Sequence, residues 1–364
     1  MIVVDPRLHE AERVAALLGA ELPDDLVAAA ARCSVLVVDE WTPEGAPQVL
    51  AARAAGAEVT CLAELVLRRS AVPVVGITGT AGKTTACHRL AAMLDAAERP
   101  YAMGRTARAA NAWPDADLYE QAPLLEPPAV LIAELTSTHL AWMSTSPAIA
   151  LVTCLWPDHA ELHGSVAAYI AAKWRIVAFQ GPDDLALLGP GVPFVGPGRN
   201  VHFEGDPAAA VAYELGMGDV PIPDPVLPHR FCELAGPAGI RVVDDGMAAT
   251  PAKAAFGVAR LARELGSLER VVLLAGGLDD GVHRAAEEEQ ALVRACGEVR
   301  GARVVAFGAA APRIAVLLPD ATVVADLEAA VAAGLALAQP GDGLLLAPMF
   351  PLEMADRERF SSRW

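Results

Sequence analysis

The stretch Gly76-Ile77-Thr78-Gly79-Thr80-Ala81-Gly82-Lys83-Thr84-Thr85 follows the apolar run Val72-Pro73-Val74-Val75. It precedes Ala86-Cys87-His88-Arg89-Leu90-Ala91-Ala92-Met93-Leu94, which has helical spacing. A strand, a glycine-rich turn and a helix start make a phosphate cradle. Backbone N–H groups at the helix N-terminus face the anion, Gly79 and Gly82 let the backbone approach, Lys83 adds a point charge and Thr84 can bind Mg²⁺. Nucleoside triphosphate binding is therefore expected, with Gly79, Thr80, Gly82, Lys83, Thr84 and Thr85 at the nucleotide. Ile77 stands where the commonest form of this motif has its first glycine. An ordinary glycine-rich turn would leave a lysine next to two threonines unexplained.

The 364 residues, 54% hydrophobic and 5% aromatic, can bury a large core, and their length suggests two or three domains. No uninterrupted apolar run reaches the roughly 18 residues of a membrane span. Met1-Ile2-Val3-Val4-Asp5 has no charged leader and reads as a strand, so a soluble protein is expected. The six cysteines, Cys33, Cys61, Cys87, Cys154, Cys232 and Cys296, show no Cys-x-x-Cys spacing. They read as buried thiols in a reducing cytoplasm, with neither a disulfide framework nor a zinc site. A formal net charge of −17 argues against nucleic-acid partners, so any anionic ligand must be held by local groups.

Apolar β-like runs alternate with alanine-rich helical runs, the pattern of a parallel α/β architecture. Three blocks emerge. Residues 1–70 form a small Rossmann-like unit, with strands at 1–5, 35–39 and 58–61 and no Gly-x-Gly-x-x-Gly. Residues 71–225 form the phosphate-loop domain, with further strands at 130–134 and 148–153 and a helix over 165–179. Residues 216–228, rich in Gly and Pro, read as a linker or lid connection. Residues 226–364 form a third α/β domain, with strands at 240–244, 270–275, 302–307 and 343–347.

Glu134 ends the run Val130-Leu131-Ile132-Ala133, which puts a carboxylate at the carboxyl edge of a parallel sheet, where such folds bind ligands. Metal coordination is one reading; a cap or an ion pair is the other. Asp158-His159-Ala160-Glu161-Leu162-His163 offers oxygen and imidazole ligands for a second divalent ion. Lys173, on the following helix, reads by itself as a solvated residue.

Four ordered motifs resemble the Mur ligase family: Gly79 to Thr85, Glu134-Leu135-Thr136-Ser137, Asp158-His159 with His163-Gly164-Ser165, and Tyr169 with Ala172-Lys173. In the third block, Leu227-Pro228-His229-Arg230-Phe231, Val243-Asp244-Asp245, Ala275-Gly276-Gly277 and the run from Leu346 to Met354 look like the D-glutamate-adding branch, UDP-N-acetylmuramoyl-L-alanine:D-glutamate ligase. The resemblance implies a three-domain α/β fold, cytoplasmic location, ATP and Mg²⁺, and small-molecule carboxylate and amine substrates, the amine an amino acid. It implies that ATP phosphorylates a carboxylate and that an amine attacks the acyl phosphate. Lys83, Glu134, His159 and Lys173 would be catalytic. Thr84 and Glu134 would hold one metal and His159 a second, supported by Lys173, which matches the family's carbamylated lysine. Arg230 and Asp245 would contact ATP, and Asp158 would orient its neighbour.

Departures from the family pattern narrow the expected substrate. Ala81 and Cys154 replace asparagines, Gly246 and Met247 replace a serine and a lysine, and the run from Pro348 to Met354 lacks the serine associated with D-glutamate. The first block is shorter than the family's and lacks a glycine-rich nucleotide-sugar loop, and no His-Asn-x-x-Asn segment lies between His202 and Leu227. The expectation is an amide ligase of a specialised pathway. A genuine D-glutamate-adding enzyme and a noncatalytic nucleotide-binding module are the alternatives. Trp41, Trp113, Trp156 and Trp364 are read as packing, His88 as a helix-surface residue, and Gly276-Gly277 with Asp279-Asp280 as a turn. Ser137 and His139 either line the cleft or pack behind it.

Overall fold

A computed structural model describes residues 1–104, 111–218, 220–279 and 281–364. Asp280 lies outside the described residues. Fifteen strands form three sheets among the described residues. The first sheet has the order β1 (Ile2–Val4), β2 (Val35–Val38), β3 (Glu58–Cys61), all parallel. The second contains β4 (Val74–Thr78), β5 (Tyr101–Met103), β6 (Val130–Glu134), β7 (Ile149–Val152), β8 (Leu185–Leu188) and β9 (Arg199–His202). Its order is β5-β6-β4-β7-β8-β9, parallel throughout. The third contains β10 (Cys232–Leu234), β11 (Arg241–Asp244), β12 (Val271–Gly276), β13 (Arg303–Phe307), β14 (Thr322–Val324) and β15 (Gly343–Met349). Its order is β10-β11-β15-β12-β13-β14, with β10 antiparallel at one edge.

The chain divides into two compact units. One comprises residues 1–155 and 167–225; the other comprises residues 156–166 and 226–364. In the first unit the small sheet shares one apolar core with a face of the second sheet, where Val3, Leu36 and Val66 belong to the same buried cluster as Leu131, Ala133 and Ile176. In the second unit the two faces of its sheet carry separate clusters, one built on Val258, Leu261 and Ile314, the other on Val331, Leu346 and Phe360. These strands read as near-continuous apolar runs because helices cover both faces.

The phosphate-loop strand runs further than its sequence suggests. Ile77 and Thr78 are β-branched and fully buried, and they pair with Glu134 and Val152 across the sheet. Gly76 is therefore a strand residue, and a Cβ there would fall 2.5 Å from Pro147 Cγ. The turn is confined to Gly79–Gly82. β4 lies between β6 and β7, so its turn opens at the carboxyl edge beside Glu134 and Thr153. Gly79 has φ +147°, and a Cβ there would stand 2.0 Å from Thr153 Oγ1. Gly79→Ala combines backbone strain with overpacking, a cost of roughly 2–5 kcal/mol. We expect a thermal unfolding midpoint several degrees lower; an unchanged midpoint would show that the turn tolerates the methyl group.

Candidate active site

In the first unit, the helix Lys83–Ala96 begins directly at Gly82, whose φ of +81° turns the chain into it. The first N–H groups of a helix have no intrahelical acceptor and face the turn. Two lysines meet on one oxygen here: Lys83 Nζ and Lys173 Nζ each donate to the Gly79 carbonyl at 3.0 Å. Lys173, only 2% exposed, also donates to Thr78 Oγ1 at 3.2 Å and lies 5.0 Å from the centre of the Tyr169 ring. The Tyr169 hydroxyl in turn bonds Thr80 Oγ1 at 2.8 Å. Two lysine side chains donating to one carbonyl bring cationic groups to the turn, as an anion site requires.

Thr84 Oγ1 lies 3.0 and 2.9 Å from the two carboxylate oxygens of Glu134 and 3.3 Å from Asn111 Oδ1. One hydroxyl hydrogen cannot serve three acceptors. The hydroxyl therefore donates to one of them at a time, the Glu134 oxygens being the nearer. The Ala112 N–H also donates to Glu134 Oε2 at 3.1 Å, which fixes the carboxylate in a site where it is 2% exposed. Lys83, Thr84, Glu134 and Lys173 are thus gathered around one turn, with Thr85 half-buried on the first helical turn. Asn111 has no signal in the sequence: it sits in an irregular stretch, and only the fold brings it to Thr84.

In the second unit, His159 has φ +55° and starts the short helix Ala160–His163. Asp158, 1% exposed, accepts the His159 N–H at 3.0 Å, and its Oδ2 lies 3.5 Å from His159 Nε2. The other ring nitrogen is 3.3 Å from Glu161 Oε1, while the imidazole stays 40% exposed. Burial pushes the Glu161 carboxyl up, but the bonds to His159 outweigh it and hold the group below its ordinary range. Asp158, His283 and Glu288 bring buried ligand atoms within 4.8 Å of one another. Protein donors already occupy that cluster. Lys253 Nζ stands 3.9 Å from Asp158 Oδ2, and Glu288 accepts the N–H groups of Ala160 and Ala285 at 3.0 and 3.2 Å. Asp245 follows β11 and accepts the Phe231 N–H at 3.1 Å. Burial raises its carboxyl to about 7, against the pull of that bond and of Arg230 and Lys253 nearby.

The Mur ligase middle domain family matches residues 77–190. A UDP-N-acetylmuramoylalanine--D-glutamate ligase from Frankia casuarinae is 32% identical, with 94% of this chain and 82% of that protein covered. The chain belongs to the Mur ligase family. Among its relatives is also a UDP-N-acetylmuramoyl-L-alanine--L-glutamate ligase from a Micromonospora species, 29% identical over 88% of this chain and 78% of the relative. Among solved structures, MurF from Acinetobacter baumannii shares the fold with a TM-score of 0.60 at 14% identity, covering 97% of this chain and 98% of that one. MurF from Thermotoga maritima, solved with ADP, gives 0.59 at 16% identity, with 86% and 90% covered. As a member of this family of amide-forming ligases, the chain is an enzyme. No helix among the described residues is long and apolar enough to cross a membrane.

Within this Mur ligase framework, Cys154, in an asparagine position, bonds the turn through its sulfur, which lies 3.3 Å from the Ala81 nitrogen. Cys154 and Cys232 are half-buried, whereas the other four cysteines are buried as expected. Trp41 and Trp113, distant in sequence, come together with ring centroids 6.4 Å apart, and Trp113 meets the His139 ring edge-on at 5.6 Å.

His139 packs rather than opens to solvent: it is 4% exposed and completes a capping box with Thr136. Burial lowers its pKa from 6.5 to about 4, and Glu134 only partly offsets this. The folded state therefore holds fewer protons than the unfolded chain between those values, so stability is lost as pH falls from about 6.5 towards 4. The loss is on the order of 3 kcal/mol. His139→Asn, whose amide can still cap, should flatten this acid limb in denaturant titrations at successive pH values. An unchanged limb would show that His139 does not titrate out of register with the unfolded chain.

Proposed function

We propose that this chain is an ATP- and Mg²⁺-dependent ligase that joins a small-molecule carboxylate to an amine, in a specialised biosynthetic pathway rather than in peptidoglycan assembly. The convergence of Lys83 and Lys173 on the Gly79 carbonyl, beside the Thr84–Glu134 pair, carries this reading. A nucleotide fits such a donor set: N–H groups of the turn and helix start, and an ammonium group for the terminal phosphates.

The turn and Lys83 bind the triphosphate. Thr84 and Glu134 offer hard oxygen ligands for one Mg²⁺, and His159 an imidazole for a second. Bound Mg²⁺ would neutralise charge on the phosphates during transfer. A carboxylate oxygen of the acid substrate forms a bond to the γ-phosphorus as the bond to ADP breaks. The amine then adds to the acyl carbon and loses a proton, and phosphate leaves as the amide forms. Lys83 balances charge on the phosphoryl group in flight. By the resemblance to the family, Arg230 and Asp245 are assigned to the nucleotide as well. The acyl phosphate must be kept from water, and positioning supplies most of the rate.

A second reading, a glutamate-adding ligase of peptidoglycan precursors, is favoured by the names of the relatives from Frankia and Micromonospora. Against it stand Gly246 and Met247 in place of a serine and a lysine, and the absence of a serine in the run from Pro348 to Met354.

Lys83→Ala should abolish ADP release while leaving the unfolding midpoint near wild type, since the side chain faces the turn rather than a core. Glu134→Ala and His159→Ala should each cut turnover at least about a hundredfold. Wild-type rates in Lys83→Ala, or near-normal rates in both others at saturating Mg²⁺, would overturn the assignment.

Lys173 as an ammonium group favours the Gly79 carbonyl; as a carbamate it would instead present a carboxylate to a metal. Lys173→Ala should be nearly inactive. A short carboxylic acid should restore part of the rate, and ¹³C-labelled carbon dioxide should give the wild-type protein a carbamate resonance that the variant lacks. Full activity in Lys173→Ala would remove this residue from the site.

A further inference from the structure

In the sheet of the second unit, the chain runs outward from β12 through β13 to β14, then crosses back to lay β15 on the opposite side of β12. Where an open α/β sheet reverses its winding in this way, a crevice opens at the carboxyl ends of the strands, and ligands bind there. A cavity of about 210 Å³ occupies this edge, bordered by Gly277 after β12, Gly308 after β13, Asp326 after β14 and Leu352 after β15. Pockets for drug-sized ligands run to roughly 300–1,000 Å³, so this one takes a molecule smaller than a nucleotide. Among the described residues, none of those assigned above to the nucleotide or to a metal lines it.

The groups around the cavity exclude a phosphate. A dinucleotide fold frees backbone N–H groups and a helix start directly after such a strand. Here the Gly277 N–H donates to the Phe307 carbonyl at 3.3 Å, the Leu278 N–H to that of Pro351 at 2.9 Å and the Gly308 N–H to that of Ala325 at 3.2 Å. The helix that follows β12 begins only at Ala286. The helix Leu327–Leu337 does start at the cavity, but Asp326 caps it by accepting the Ala329 N–H at 2.9 Å, so the protein itself supplies the anion that the helix dipole favours.

The floor is apolar and the rim acidic. Phe307, Leu327, Val331, Leu352 and Phe360 are buried members of one core cluster. Around them stand four carboxylates, on Asp326, Glu328, Glu353 and Asp356, against two guanidinium groups, on Arg359 and Arg363. Both arginines are engaged: Arg359 lies 3.1 Å from Asp356, and Arg363 pairs with Glu328. Glu353 and Asp326 are left without a cation among the described residues. Two such carboxylates over an apolar floor select a cation with a short hydrocarbon body.

We propose that this cavity binds a small primary amine with a short apolar body, its ammonium group at the Glu353 and Asp326 carboxylates and its hydrocarbon part on Val331, Leu352 and Phe360. The site belongs to the second unit alone and does not depend on the reading of the phosphate turn.

The test is calorimetry on the full-length protein with two probes, 3-methylbutylamine and 4-methylpentanoate, which share a branched hydrocarbon body and carry opposite charge. The amine should bind at least about tenfold more tightly than the acid, and in methyl NMR of the wild-type protein it should shift the Val331 and Leu352 resonances. Glu353→Gln and Asp326→Asn, the second of which can still cap its helix, should each weaken amine binding by about threefold to tenfold at an unchanged thermal midpoint. Ala309→Phe, which adds bulk at an exposed position of the lining, should abolish it. Equal binding of the two probes by the wild-type protein would overturn the proposal, as would no detectable binding of the amine. So would amine binding that leaves Val331 and Leu352 unshifted, or that persists at full strength in all three variants.

Discussion

The site depends on the backbone carbonyl of Gly79, which accepts from two ammonium groups, Lys83 at the start of its helix and Lys173 from the helix Val166–Ala178. Neither lysine could reach it if the turn bulged, and the turn is drawn tight by a residue without a Cβ, packed against Thr153. Thr153 Oγ1 itself donates to the Ala81 carbonyl at 2.5 Å, and the Thr80 N–H reaches the Cys154 carbonyl at 3.0 Å. The strand end at β7 therefore shapes the loop at β4. An anion bound at this turn would sit at the mouth of a helix whose dipole favours it.

Much of this was legible in the sequence because its physical causes are local. The strand, turn and helix at residues 74–96 follow from β-branched residues, two glycines and a helical apolar spacing. Glu134 could be placed at a sheet edge because four apolar residues, Val130 to Ala133, lead into it. What sequence could not show depends on contacts between distant segments. Asn111 reaches Thr84 only through the fold. Lys173 reads as a solvated helix residue until packing buries it beside Tyr169 and Thr78. The capping box puts His139 in the protein interior, where its proximity to Glu134 in sequence gave no warning. The short strands β5, β9, β10 and β14 carry too few residues for a periodic signal, and all four lie at sheet edges where burial is incomplete.

The departures from the Mur ligase pattern have structural consequences. Cys154 still reaches the phosphate turn, but through a sulfur, a weaker acceptor than an amide oxygen. Gly246 accepts the close approach of Arg357, whose Cγ would be 3.2 Å from a Cβ at that position, and the Arg357 guanidinium reaches Met247 Sδ. A serine and lysine there would meet that arginine. The second unit thus keeps the acidic residue Asp245 while changing the groups beside it, the kind of difference that alters which ligand is held without altering the fold.

The central claim, that the phosphate turn serves amide-bond formation, is tested most directly by product analysis. The wild-type protein would be incubated with ATP, Mg²⁺ and paired carboxylates and amines, including UDP-N-acetylmuramoyl-L-alanine with D- or L-glutamate. ADP would be followed by coupled assay and products by mass spectrometry. The account predicts that one pair yields an amide and ADP in equal amounts, and that this pair is not the peptidoglycan precursor. ATP binding without any amide product from a broad panel would contradict it.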